Sequence, residues 1–243
     1  MVSKNQIKLI TGLQQKKYRS IHQLFTAEGA KVIGELLAAG FALESLFVTE
    51  AIFKEVDPSK KVVVTDAELK KISALSVPNN CLGVFRIPEQ KPLKDEGLIV
   101  ALDDIRDPGN LGTILRLCDW FGVEQLVCSE KTVDRYNPKV VQATMGSIAR
   151  VNIVYTDLEK WLSKTKLPVF GTFMDGTNIY QTDLPQQGVI VMGNEANGIS
   201  ETISKRAKQK LSIPRFGALQ QTESLNVATA TAIILSEFRR KAI

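Results

Sequence analysis

Residues 98–128 read LIVALDDIRDPGNLGTILRLCDWFGVEQLVC, and their pattern decides the fold. Leu98–Leu102 is apolar at every position, as expected of a strand covered on both faces. Pro108-Gly109 then turns the chain, and Asn110 stands where it can cap a helix. Leu111, Ile114, Leu115 and Cys118 follow at i, i+3, i+4 and i+7, a stripe to be buried. Thr113, Arg116 and Trp120 share another face. On spacing alone that face is either a solvated surface or one turned to a substrate or second subunit. Gln125–Cys128 then closes a strand–helix–strand unit.

The alternation continues outward from this unit. Asn152–Tyr155, Val169–Phe173, Val189–Met192 and Lys210–Ile213 read as further strands, with helical patterns at 111–121, 137–144, 157–164, 197–207 and 224–240. Such alternation specifies an α/β fold with a mainly parallel sheet and helices on both faces, whose ligands bind at the carboxyl ends of strands. On the amino-terminal side, EQKPLKDEG (89–97) has the charge, proline and glycine of a linker. It separates residues 1–94 from 98–243. The first part is a small α/β unit: helices near 3–14 and 28–39, the latter with Ala30, Ile33, Leu37, Val32 and Leu36 as its stripe. β-Branched runs at Leu46–Val48 and Val62–Val64 follow, then a helix opening DAELKKISAL at Asp66 and a strand over Cys81–Arg86.

Composition narrows the function. The 243 residues are 44% hydrophobic and 23% charged, which excludes disordered, collagen-like and disulfide-framed chains. No run approaches the roughly 18 apolar residues of a membrane span, and MVSKNQIKLITG lacks a signal-peptide core, so a cytoplasmic protein is expected. Cys81, Cys118 and Cys128 form no CxxC pair, which argues against a zinc site and a disulfide frame. With His22 as the one histidine, no metal site is expected and catalysis must draw on other side chains or a cofactor. The net charge of +5 permits a nucleic-acid partner without requiring one; 14 basic and 11 acidic residues precede Leu98, and 17 and 15 follow.

Two more loops stand at strand ends. VIVMGNEANGIS (189–200) places Gly193-Asn194-Glu195 and Asn197-Gly198 after an apolar strand, which allows close backbone approach to a planar ligand or serves simply as a turn with an exposed Glu195. LSIPRFGALQQTESLNVATATAIILSEF (211–238) ends a strand at Ile213-Pro214 and opens a long helix at Ser224-Leu225-Asn226. Ser224 reads there as an N-cap. Val227, Thr231, Ile234 and Phe238 form the buried face, and Ala228 and Ala232 a small-residue face. Neither GxGxxG nor GxxxxGK[ST] occurs, which removes the usual support for a nucleotide-binding oxidoreductase.

Taken in order, PGNLGTILR (108–116), GNEANG (193–198) and IPRFG…SLNVATATAI (213–233) resemble the SpoU (TrmH-type) RNA ribose methyltransferases of the SPOUT superfamily. ATMGSIARV (143–151) resembles that family's serine-containing segment, with Ser147 at the matching place. KKYRSIHQLFTAEGAKVIGELL (16–37) resembles the small substrate-binding domain fused to such enzymes. The resemblance implies a carboxy-terminal domain with a deep trefoil knot, a homodimer, and S-adenosyl-L-methionine bound near Thr172, Met192, Gly193, Gly198, Ile213 and Leu225. It implies methylation of a ribose 2′-hydroxyl in RNA, ribosomal RNA before tRNA. Arg116 is then the central catalytic residue, with Asn110, Glu195, Ser224 and Asn226 orienting it and the ribose. A guanidinium is normally protonated, so Arg116 acts either as a base in a special environment or, as we favour, by positioning phosphate and oxyanion charge. Lys16, Lys17 and Arg19 form one basic cluster for RNA, Lys205, Arg206, Lys208, Lys210 and Arg215 another, and Arg135 and Arg150 are further candidates. GALQQTE (217–223) looks longer than the family's compact loop. A non-catalytic RNA-binding dimer on the same fold is the alternative.

Overall fold

A computed structural model describes residues 1–219, 221 and 224–240. The chain divides into two compact units, Met1–Glu89 with Asp134–Arg150, and Gln90–Val133 with the residues from Val151 onward. No helix among the described residues is long and apolar enough to cross a membrane.

The first unit opens with helices α1 (Lys4–Gly12) and α2 (Lys16–His22), then strand β1 (Leu24–Glu28), α3 (Ala30–Ala38), β2 (Leu43–Val48), β3 (Lys61–Val63), α4 (Asp66–Ile72) and β4 (Cys81–Arg86). The sheet order is β1-β4-β2-β3, antiparallel except for β2 and β3. Helix α2 and strand β1 are absent from the sequence expectation. On α3 the buried residues are Val32, Ile33 and Leu36, so the stripe is rotated away from Ala30 and Leu37. Segment 134–150, expected within the second domain, folds with this unit through α6 (Pro138–Thr144). Tyr136 packs on Phe25 with ring centroids 4.5 Å apart, and Arg150 pairs with Glu35. Gly146 lets the chain pass close: a Cβ there would lie 2.6 Å from the Glu35 side chain.

The second unit is a six-stranded, wholly parallel sheet. Its strands are β5 (Leu98–Leu102), β6 (Gln125–Ser129), β7 (Asn152–Thr156), β8 (Val169–Asn178), β9 (Gly188–Met192) and β10 (Gln209–Ser212), in the order β10-β8-β9-β5-β6-β7. All residues of β5 and β9 are buried, as unbroken apolar runs require when both faces are covered. Alternation assigns the faces. Ile99, Ala101, Val127, Val169, Val189 and Val191 pack with Leu158 and Leu162 of α7 (Leu158–Leu162) and Ile203 of α8 (Glu201–Ser204). Phe170, one residue along β8, meets Phe238 of α9 (Val227–Arg239) edge to face at 5.3 Å. Helix α5 (Pro108–Trp120) packs against α9, and the Arg239 guanidinium donates to the Phe121 and Gly122 carbonyls at its end, both at 2.8 Å.

Three details differ from the sequence expectation. Asp107, not Asn110, caps α5, because Pro108 takes the first helical position where its missing N–H costs nothing. Strand β8 runs on to Asn178, pairing with β10 across a register shift between Lys210 and Leu211. The helix expected over 197–207 shrinks to Glu201–Ser204, because Asn194 and Gly198 exchange backbone hydrogen bonds and hold the preceding loop in a turn.

Candidate active site

Strands β5 and β9 are neighbours, with Leu102 opposite Met192, and the Asp103 N–H donates to the Met192 carbonyl at 2.9 Å. The chain turns to opposite sides of the sheet on either side of this pair, so the crevice at their carboxyl ends is where such a fold places a ligand. Two loops leave the sheet there side by side, and each is fastened to the other. Asp103 is buried and accepts from the Ser200 N–H at 2.8 Å. The Asn194 amide donates to the Asp104 carbonyl at 2.6 Å, while its oxygen accepts from the Ala196 and Asn197 N–H groups at 3.0 and 3.1 Å. Gly193 sits where a Cβ would lie 2.3 Å from Gly198 C and Ile199 N, so no side chain fits. Sequence reasoning did not assign roles to Asp103, Asp104 or Asn194. The available signal was a pair of carboxylates at the end of an apolar strand.

Glu195 gathers the loops. One carboxylate oxygen accepts from the Asn110 side-chain amide at 3.0 Å and the Asp107 N–H at 3.2 Å, and the other from the Arg106 N–H at 3.3 Å. Partial burial pushes its pKa up, but the Asn110 amide and the backbone donors outweigh that and hold it below the ordinary value of 4.5. The Asn110 oxygen in turn accepts from the Asn226 amide at 2.9 Å. The Asn226 oxygen caps α9, accepting from the Ala228 and Thr229 N–H groups at 2.9 and 3.2 Å. Asn226 therefore takes the N-cap place expected of Ser224. One chain of hydrogen bonds, Glu195 to Asn110 to Asn226, joins three segments distant in sequence.

Arg116 and Ser224 lie outside that chain. Arg116 is exposed on α5 with Thr113, and neither the Arg116 nor the Ser224 side chain has a hydrogen-bond partner among the described residues. Trp120, one turn further on, is 84% exposed. Sequence reasoning also passed over Arg106, whose guanidinium is fixed by two hydrogen bonds to Asp104, at 3.0 and 2.8 Å.

The residues expected around a cofactor lie on β8, at the end of β9 and in the segments that follow β9 and β10 and precede α9. Thr172 on β8 donates to the Val191 carbonyl at 2.9 Å, beside the buried Met192 that ends β9. Ile213 follows β10 half-buried, and Leu225 precedes α9 with 48% exposed. Gly198 has φ of +67° and open space where a Cβ would stand, with no protein atom within 4 Å. A flat group can thus lie against backbone there, which fits S-adenosylmethionine held mainly by main-chain contacts. Part of the 217–223 loop lies outside the described residues.

The RNA candidates separate by their surroundings. Lys16 and Lys17 are exposed. Arg19 is corrected from an RNA contact to an internal link: it is 3% exposed, donates to Asp134 at 2.9 and 2.5 Å and to the Leu13 carbonyl at 2.7 Å. Ser147 is also buried, on the segment that folds with the first unit. Arg135 lies over the Tyr136 ring at 4.9 Å, Arg150 pairs with Glu35, and Arg206 with Glu159 at 3.1 Å. Arg215 is exposed beyond β10.

Comparison with known proteins gives these loops a context. Residues 97–236 match the SpoU rRNA Methylase family and residues 4–83 the MRM3-like substrate binding domain. The chain is 27% identical over 235 residues to the Bacillus subtilis 23S rRNA (guanosine(2553)-2′-O)-methyltransferase RlmP, covering 93% of each. It superposes on a TrmH-family structure from Porphyromonas gingivalis with a TM-score of 0.90, 37% identity and 99% coverage of both chains. An AdoMet-bound rRNA methyltransferase from Sinorhizobium meliloti gives a TM-score of 0.88 at 28% identity, covering 100% of this chain and 98% of the other. With its parallel sheet, its three fastened loops and a match over more than half its length, the chain belongs to the SpoU rRNA methylase family.

Proposed function

We propose that the chain is an S-adenosylmethionine-dependent methyltransferase acting on a ribose 2′-hydroxyl of ribosomal RNA. The observation that carries this reading is the Glu195–Asn110–Asn226 chain of hydrogen bonds, which fixes the amino-terminal ends of α5 and α9 against the crevice. When bound, the cofactor supplies a methyl group made electrophilic by its positively charged sulfur. Gly193, Gly198 and Thr172 shape the crevice for it, with Met192, Ile213 and Leu225 as its apolar border. Arg116 supplies a mobile positive charge on the exposed face of α5, suited to holding an RNA phosphate and to stabilising negative charge as the 2′-hydroxyl loses its proton. Glu195, kept ionised by its donors, holds Asn110 and thereby the start of that helix, and Ser224 offers an exposed hydroxyl two residues before the cap of α9. Lys16, Lys17, Arg135, Arg150, Arg206 and Arg215 supply charge for the RNA backbone.

The same reading includes a trefoil knot and a homodimer. The match of residues 97–236 to the SpoU rRNA Methylase family supports the former. The exposed Trp120 and its neighbours on α5 support the latter. The same reading takes the protein to be cytoplasmic, which three free, buried cysteines support.

Purified protein given labelled S-adenosylmethionine and ribosomal RNA is expected to label the RNA, and digestion should return the label as a 2′-O-methylnucleoside. Label on a base would overturn the ribose assignment. RNA binding with no calorimetric signal from the cofactor or its demethylated product would show a non-catalytic RNA-binding protein instead.

A further inference from the structure

The first 27 residues hold Lys4, Lys8, Lys16, Lys17 and Arg19 and no acidic residue. Arg19 is neutralised internally by Asp134, whereas the four lysines are exposed and make no ion pair among the described residues. Helices α1 and α2, which carry them, line an open cleft of about 670 Å³, within the roughly 300–1,000 Å³ of sites for small ligands. Asn5, Lys8, Gln15, Tyr18 and His22 line it. The Tyr18 ring rests on Gly12, where a Cβ would stand 3.7 Å from two ring carbons, and remains 38% exposed. None of those five polar side chains makes a hydrogen bond to a described residue, although Thr11 beside them bonds back to the helix.

This combination is selective about chemistry. Two side-chain amides, each both donor and acceptor, suit the edge of a nucleobase. An aromatic ring with an open face suits stacking, and surrounding lysines suit phosphate. An acidic peptide would use the lysines but leave the amides and the ring unexplained.

We propose that the cleft between α1 and α2 holds one unstacked nucleotide of the RNA substrate, with its base on Tyr18, its edge against Asn5 and Gln15, and its phosphate at Lys8. The proposal rests on reading the chain as an RNA-modifying enzyme. It assigns the amino-terminal unit a nucleotide-sized site of its own.

The test uses the full-length protein and a short fluorescein-labelled oligoadenylate, read by anisotropy. Tyr18→Ala should weaken binding by about five- to 150-fold, the range for loss of a stacked base. Tyr18→Phe should bind within about twofold of the parent, and Lys8→Ala should lower the salt dependence by about one phosphate contact. Cross-linking of the unaltered protein to RNA containing 4-thiouridine should label the peptide containing Tyr18. Parental affinity in Tyr18→Ala, or cross-links confined to residues outside 5–22, would overturn the site and leave the cleft to a protein partner. Cofactor binding, followed by calorimetry, separates the two readings. If it persists while the cleft ignores RNA, only this proposal fails; if the unaltered protein binds neither cofactor nor RNA, the enzyme reading fails with it.

Discussion

A carboxylate at position 195 is the hub of the proposed site, and its charge sets when the hub holds. Its donors hold the folded pKa below 4.5, so the ionised form contributes stability that is fully present above the unfolded value and is lost as pH falls through the lowered folded one. The stability difference between the native protein and Glu195→Gln, measured by urea unfolding, should therefore be present at neutral pH and shrink only below pH 4.5. A difference that grew on acidification would contradict the assignment of Glu195 as an ionised acceptor. Residue-scale legibility in the sequence was uneven. Leu111, Ile114, Leu115 and Cys118 are all fully buried, because helical spacing alone dictates that stripe. Arg19 was misread because its partner, Asp134, lies 115 residues away, and no local pattern carries that information.

At the scale of elements, the two helix starts at the site are each capped by an acidic or amide side chain one motif away from the expected residue. Asp107 accepts from the Asn110 N–H at 2.8 Å, and Asn226 accepts from two N–H groups of α9. Both sites contained more than one good capping residue, and competing candidates of similar capping strength are not resolved by spacing. Asn226 does two separable things, since its oxygen caps α9 and its amide donates to Asn110. Asn226→Asp should keep the cap and the thermal midpoint but lose the donor, lowering methyl transfer; Asn226→Ala should lose both, with about 1 kcal/mol of stability. Equal activity in Asn226→Asp and the parent would remove the Asn110 bond from the mechanism. The short α8 was illegible for a related reason: helical periodicity continues through 197–207, but the Asn194–Gly198 bridge consumes the backbone groups that a helix would need.

At the scale of the whole molecule, the parallel sheet was legible because its strands are apolar throughout, and parallel pairing with both faces covered demands that. The exchange of segment 134–150 into the amino-terminal unit was not, since it depends on Tyr136 against Phe25, Arg150 with Glu35 and the bare backbone of Gly146, contacts between distant parts of the chain. Strand order also explains why the loops at 103–110 and 193–200 can share one site with Asn226 at the start of α9, for β5 and β9 are adjacent and α9 packs on α5. Under the proposed function Arg116, exposed on α5 and outside that hydrogen-bond chain, acts on the RNA and not in holding the cofactor. The most direct measurement pairs labelled methyl transfer to ribosomal RNA with calorimetric binding of S-adenosylmethionine in Arg116→Ala. Near-complete loss of transfer with cofactor affinity unchanged is expected; full transfer, or cofactor binding lost together with it, would overturn the role given to Arg116.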